Sequence, residues 1–222
     1  MIRGMTEIVL MADPLVSAVP VQECGERFVD VRRDSALLVD GRKEQDSAGA
    51  FAHLREGVLG RLLEAQARLP SGIRLLFVEG YRSPSLQRRY FDSYAERLRA
   101  ENPQWPAEQV RSAASRYVSP PEIAPHSAGA AVDLTLADAD GRELDLGTRM
   151  NATPEESAGA CYTQADNISD EARSHREILS TALTAAGLVN YPTEWWHWSY
   201  GDRYWALRTG AAAAHYGPRE LD

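Results

Sequence analysis

Two histidines, one aspartate and one glutamate stand in two short segments of this chain. They are Pro125-His126-Ser127-Ala128-Gly129-Ala130-Ala131-Val132-Asp133 and Glu194-Trp195-Trp196-His197. Two imidazoles and a carboxylate form the donor set of a hydrolytic zinc site, which keeps a fourth position open for water. His126, Asp133 and His197 are the candidate ligands of one zinc ion per chain. Glu194 is then left over as a general base, able to take the proton of the attacking water and return it to the leaving amine. The attacked carbonyl oxygen gains negative charge, which an arginine can stabilise. Arg82, just after an apolar run, is the candidate.

These roles impose conditions on the backbone. His126 and Asp133 are seven residues apart, so on one regular strand they would face opposite ways. They converge only if the chain bends between them, and Gly129 is the cheapest place to bend. The expectation is His126 in a loop, Asp133 inside the following strand (Ala130–Leu136), and Glu194 in a turn entering a strand over Trp195–Ser199. Elsewhere, Phe28–Val31 and Ile73–Val78 read as strands. Ala50–Leu69, with apolar Leu54, Val58, Leu62 and Leu63 at helical spacing to form its core stripe, Ser85–Ala100, Pro106–Tyr117 and Asp170–Ala186 read as helices, the second opened by Ser83-Pro84. Val118–Pro125 is a proline-rich loop, Asp140-Gly141 a hairpin turn, and Tyr204–Leu207 a returning strand. Helices early and hairpins late predict an α+β fold: a single compact domain over 1–222 with a central, mainly antiparallel sheet flanked by helices. Residues 1–21 are expected to be partly flexible. The aromatic group Trp195, Trp196, Trp198, Tyr200, Tyr204 and Trp205 reads as core, with one or two members walling the cleft.

Bulk properties exclude other classes. The formal charge of −8 and pI near 5.2 argue against nucleic acid or an anionic membrane as partner. No run approaches the roughly 18 apolar residues of a membrane span, and the first 20 residues make a poor secretory signal. The expected location is the cytoplasm. Cys24 and Cys161 are too few for a disulfide framework and read as buried free thiols. The His-Glu-x-x-His, Gly-x-Ser-x-Gly, phosphate-loop and dinucleotide motifs are absent.

Three ordered segments carry a family likeness: Glu79-Gly80-Tyr81-Arg82-Ser83, then His126 to Leu136, then Glu194-Trp195-Trp196-His197. On these the chain resembles the zinc D-alanyl-D-alanine dipeptidases of the VanX type, within the wider zinc DD-peptidases. The resemblance implies a compact α+β fold with the zinc cleft on its sheet. It implies zinc on His126, Asp133 and His197, Glu194 as base, Arg82 at the transition state, and a small peptide containing D-amino acids as substrate. Tyr81, Ser127 and Asn151 are the candidate substrate contacts. The segment Gly147-Thr148-Arg149-Met150-Asn151 departs from the family's usual Gly-Thr-x-Phe-Asp, whose aspartate pairs with the substrate ammonium. Asn151 can hydrogen-bond an ammonium but cannot neutralise it; Glu155 or Glu156 could supply the charge or be plain solvated residues. Ala128 stands where the family often has arginine. Two other readings stay open: a peptidoglycan carboxypeptidase or endopeptidase acting on longer stem peptides, and a non-catalytic metal-containing binding module.

Overall fold

The strand Ala131–Ala137 is buried at every position, so both faces of the sheet around it must be covered. Its alternation divides the molecule. Val132, Leu134 and Leu136 join the main hydrophobic core, while Asp133 and Thr135 project from the other face. One face of the sheet is therefore packing surface, and the other can carry polar groups.

The computed structural model describes residues 8–43 and 49–221. In chain order the elements are α1 (Pro14–Ala18), β1 (Phe28–Asp30), α2 (Val31–Asp34), β2 (Leu38–Val39), β3 (His53–Arg55), α3 (Glu56–Arg68), β4 (Arg74–Glu79), α4 (Pro84–Glu101), α5 (Ala107–Ala114), β5 (Ala131–Ala137), α6 (Asp170–Ala185), β6 (Val189–Asn190), β7 (His197–Ser199) and α7 (Arg203–Thr209). The main sheet runs β2-β4-β5-β7-β6, and β1 pairs with β3 in a small second sheet. Only β2–β4 is parallel; the other pairings are antiparallel. The expected α+β architecture with a mainly antiparallel sheet is what the chain forms.

Local chemistry explains the elements that agree with expectation. Pro84 sits in the first turn of α4 and the Ser83 side chain accepts from the Leu86 N–H, a cap contributing about 1 kcal/mol. In α3, Val58, Leu59, Leu62 and Ala65 are buried, and Val58 and Leu62 are fully so. Each such side chain contributes roughly 1.5–3 kcal/mol on leaving water. Gly141 takes a positive φ at the tip of the turn after β5, where Ala137 and Glu143 form a bridge.

Four expectations are corrected. The helix predicted from Ala50 begins only at Glu56: Ala50–Ala52 is a 3-10 turn and His53–Arg55 is β3, where Leu54 pairs with Val29 across the small sheet, a long-range pairing that overrides local helix preference. Leu63, expected on the core stripe, is 40% exposed. The returning strand at Tyr204–Leu207 is instead α7. Asp202 caps it by accepting from the Tyr204 and Trp205 N–H groups, and Gly210 closes it in the left-handed region; the caps outweigh the β preference of the aromatics. The strand expected from Trp195 begins at His197. Within the first 21 residues Met11 and Val16 are fully buried against Tyr191 and Tyr204, while residues 1–7 lie outside the described residues. Among the described residues no helix is long and apolar enough to cross a membrane.

Both cysteines are free, but Cys24 is exposed and only Cys161 is buried, with burial raising the Cys161 thiol above its usual pKa. Thiol titration with a chromogenic disulfide is expected to give one fast equivalent per chain and a second only on denaturation. Two fast equivalents would contradict this packing.

Candidate metal centre

His126 opens a 3-10 turn, His126–Ala128, closed by Gly129 at φ 66°. A side chain at Gly129 would strike the Phe28 ring, its Cβ lying 2.2 Å from Cε1. The turn is clamped from below by Arg55, a fully buried residue whose Nε donates to the Ala128 carbonyl (2.9 Å). From the other side the Arg82 N–H donates to the His126 carbonyl (3.2 Å), and Ser127 Oγ donates to the Arg82 carbonyl (2.8 Å). The His126 ring is fixed by Nδ1 donating to the Gly80 carbonyl (2.6 Å). That bond leaves a bare lone pair on Nε2 of the neutral ring.

Asp133 and His197 reach the same place by strand register. They are direct partners across β5 and β7, and residues opposite one another in an antiparallel pair share a face. His126 Nε2 lies 3.2 Å from His197 Nδ1. His197 Nδ1 lies 3.1 Å from Asp133 Oδ1, and His126 Nε2 3.4 Å from the same oxygen. Ligands about 2.0–2.1 Å from a tetrahedral zinc stand roughly 3.3 Å apart, so this triangle has the size such an ion needs. All three residues are buried. A carboxylate oxygen and an imidazole lone pair facing one another without a cation would be repulsive, and a zinc ion resolves that conflict. His197 Nε2 is buried without a hydrogen-bond partner.

Glu194 sits in the turn before β7, its Oε2 3.8 Å from His197 Nδ1, beside the triangle rather than in it. Burial and then the Asp133 charge push its carboxyl well above the usual range, against a smaller opposing effect of Arg82. Burial would also raise Asp133, but His126 and His197 outweigh it and hold that carboxyl well below its usual value. Two carboxyls in one site are thus driven apart, one firmly ionised and one with raised proton affinity, a pattern suited to separate ligand and base roles.

These groups open on a cavity of about 410 Å³, lined by Arg82, His126, Asp133, Asn151, Glu194, Trp196 and His197 together with residues of α4 and Tyr117, Val118 and Ser119. Asn151 holds φ 61°, and its carbonyl accepts from Tyr117 Oη (3.0 Å). The loop carrying it is tied to α6 by Arg176, whose guanidinium donates to the carbonyls of Leu146, Ala160 and Tyr162. Two expected substrate contacts are not on the cavity wall. Ser127 is fully buried and its hydroxyl is spent on Arg82. Tyr81 is buried, with its hydroxyl donating to the Arg219 carbonyl (3.1 Å) and accepting from the Leu221 N–H. Both support the site from behind. Glu156 is engaged by Arg149 (2.7 Å) and Glu155 accepts from Tyr94 Oη (3.0 Å). Of the aromatic cluster only Trp196 lines the cavity.

Sequence reasoning missed Glu79 and Gln87. Glu79 grips Arg82 through two 2.9 Å hydrogen bonds, and Gln87 accepts a third from Arg82 Nη1 (3.0 Å). Glu79 was within reach as part of the Glu79–Ser83 segment; nothing local marks Gln87.

A family profile described as D-ala-D-ala dipeptidase matches residues 41–213. A D-alanyl-D-alanine dipeptidase of Synechocystis sp. (strain ATCC 27184 / PCC 6803 / Kazusa) is 30% identical over 220 residues, spanning 85% of this chain and 87% of the relative. One of Escherichia coli (strain K12) is 35% identical over 72 residues, 32% of this chain and 35% of the relative. A solved structure of VanYB in complex with D-alanine-D-alanine aligns over 71% of this chain and 78% of its own, with 18% identity and a TM-score of 0.43.

Proposed function

The chain belongs to the D-ala-D-ala dipeptidase family of zinc metallopeptidases, and on that premise we propose that it hydrolyses D-Ala-D-Ala or a closely related cell-wall-derived peptide, using His126, Asp133 and His197 as zinc ligands. The observation that carries this reading is the buried triangle of donor atoms 3.1–3.4 Å apart. A zinc ion held there supplies a Lewis acid and acidifies water. Glu194 acts as general base, accepting the proton of the attacking water and delivering it to the leaving amine. Arg82 donates to the carbonyl oxygen as negative charge builds there. Trp196 and the buried flanks of the site keep bulk water away, which strengthens each of these contacts.

Asn151 is the proposed contact for the substrate amino group. As a neutral amide it can accept from an ammonium without neutralising it, so the demand for a free amino terminus is relaxed. The test is hydrolysis by the zinc-loaded protein of D-Ala-D-Ala, its N-acetylated form and longer stem peptides, with free D-alanine measured. The expected result is release from the dipeptide, with the acetylated form within roughly 10-fold in kcat/KM, the worth of about 1.4 kcal/mol. A far larger preference for the free amine that disappears in Glu155→Gln would move ammonium recognition to Glu155. Release from stem peptides alone would move the protein to the carboxypeptidase class, and no release from any of them would end the proposal.

A further inference from the structure

The sheet carries an irregularity next to the metal triangle. Phe77 pairs with Leu134, yet Glu79 pairs with Asp133, so two steps along β4 match one along β5. In regular pairing Glu79 would share the face of Phe77 and Leu134, which is the apolar core. The bulge at Val78 turns Glu79 onto the face of Asp133 instead. A buried carboxylate in this position needs a partner, and Arg82 provides it three residues later.

The pairing has a specific geometry. Glu79 is 3% exposed and Gln87 1% exposed. Glu79 takes Arg82 Nε and Nη2 as a fork, both at 2.9 Å. Gln87 accepts from Nη1, and its own amide donates to the Ser119 carbonyl (2.7 Å), which fixes its orientation. Three of the five guanidinium N–H groups are thereby spent, and Nη1 and Nη2 each keep one. Arg82 and Gln87 line the cavity whereas Glu79 stands behind them. An arginine serving only as a buried structural ion pair would have no reason to keep two donors at a cavity wall. A flexible surface arginine would have to be ordered anew at each turnover, at a cost in side-chain entropy.

We propose that Glu79 and Gln87 are positioning residues: together they form a socket that holds the Arg82 guanidinium with two N–H groups presented to the reacting carbonyl oxygen. The proposal rests on the reading of Arg82 given above. The socket acts on the transition state, where the oxygen carries charge, so it governs kcat and leaves KM nearly unchanged.

Two measurements test it. In Glu79→Gln, kcat on D-Ala-D-Ala is expected to fall by roughly 10²-fold, the effect of misplacing a catalytic group by about 1 Å, with KM within about twofold and full zinc content. In Arg82→Ala, guanidinium ion at sub-denaturing concentration is expected to occupy the empty socket, raising both the melting temperature and the lost activity; the double variant Arg82→Ala/Glu79→Gln is expected to show neither. The double variant leaves no unpaired buried charge, so this comparison stands even if Glu79→Gln alone fails to fold. Equal guanidinium effects in both backgrounds, no effect in Arg82→Ala, or wild-type kcat in folded Glu79→Gln would each overturn the socket. Wild-type kcat in Arg82→Ala would instead overturn the role of Arg82, while the melting-temperature comparison would still decide whether Glu79 binds a guanidinium.

Discussion

Glu194→Gln is expected to retain a full complement of zinc and to lose turnover by about 10²- to 10⁴-fold, the usual span for removing a general base. Three donor atoms stand 3.1–3.4 Å apart, the spacing of ligands around one small ion, while Glu194 Oε2 is 3.8 Å from His197 Nδ1 alone. The carboxyl is therefore placed to touch a group at the open position without closing it. Burial and the Asp133 charge raise its proton affinity, and a zinc ion bound beside it would oppose that shift. Glutamine keeps the shape and removes the basicity. Metal analysis and steady-state kinetics on the same preparation check this. Parallel loss of zinc and activity would make Glu194 a ligand and the proposed division of labour wrong.

Removal of the metal is the second large effect. Dialysis against a chelator is expected to abolish hydrolysis, and one equivalent of zinc per chain to restore it. Because the proposed ligands converge only in the folded protein, zinc should also raise the melting temperature, by about 1.4 kcal/mol of stability for each tenfold excess of metal over its dissociation constant. Asp133→Asn replaces the proposed anionic ligand, whose carboxyl is held well below its usual pKa by the two histidines, with a neutral amide. In that variant both the activity and the zinc-dependent rise in melting temperature should largely disappear. Calorimetry with and without added zinc gives the answer; a full zinc-dependent shift in Asp133→Asn would show that the ion binds elsewhere.

Much of this site was legible in the chain, and the reason differs by residue. The seven-residue spacing of His126 and Asp133 demands a bend, and Gly129 supplies it at φ 66°. Ser83-Pro84 starts α4 where capping chemistry requires. Those signals are local. The turn-and-strand character of 50–55 was not legible, because it depends on pairing with Phe28–Asp30 more than 20 residues away. Nor was α7, where a single capping carboxylate decides against the preference of a run of aromatics. Ser127 and Tyr81 looked like substrate contacts because they neighbour reactive residues. Their hydroxyls instead serve backbone groups, a choice that adjacency in sequence does not reveal.

The amino-acid sequence by itself determined which chemical groups are present: two imidazoles, two carboxylates and an arginine, on segments able to bend and pair. Only the tertiary structure decided their distances. Asp133 and His197 are 64 residues apart and share a face because β5 and β7 pair in one antiparallel register. Glu79 joins them because a bulge shifts that face by one residue. Register and bulges are set by side-chain packing across the sheet and around its core, and that balance is a property of the whole folded chain.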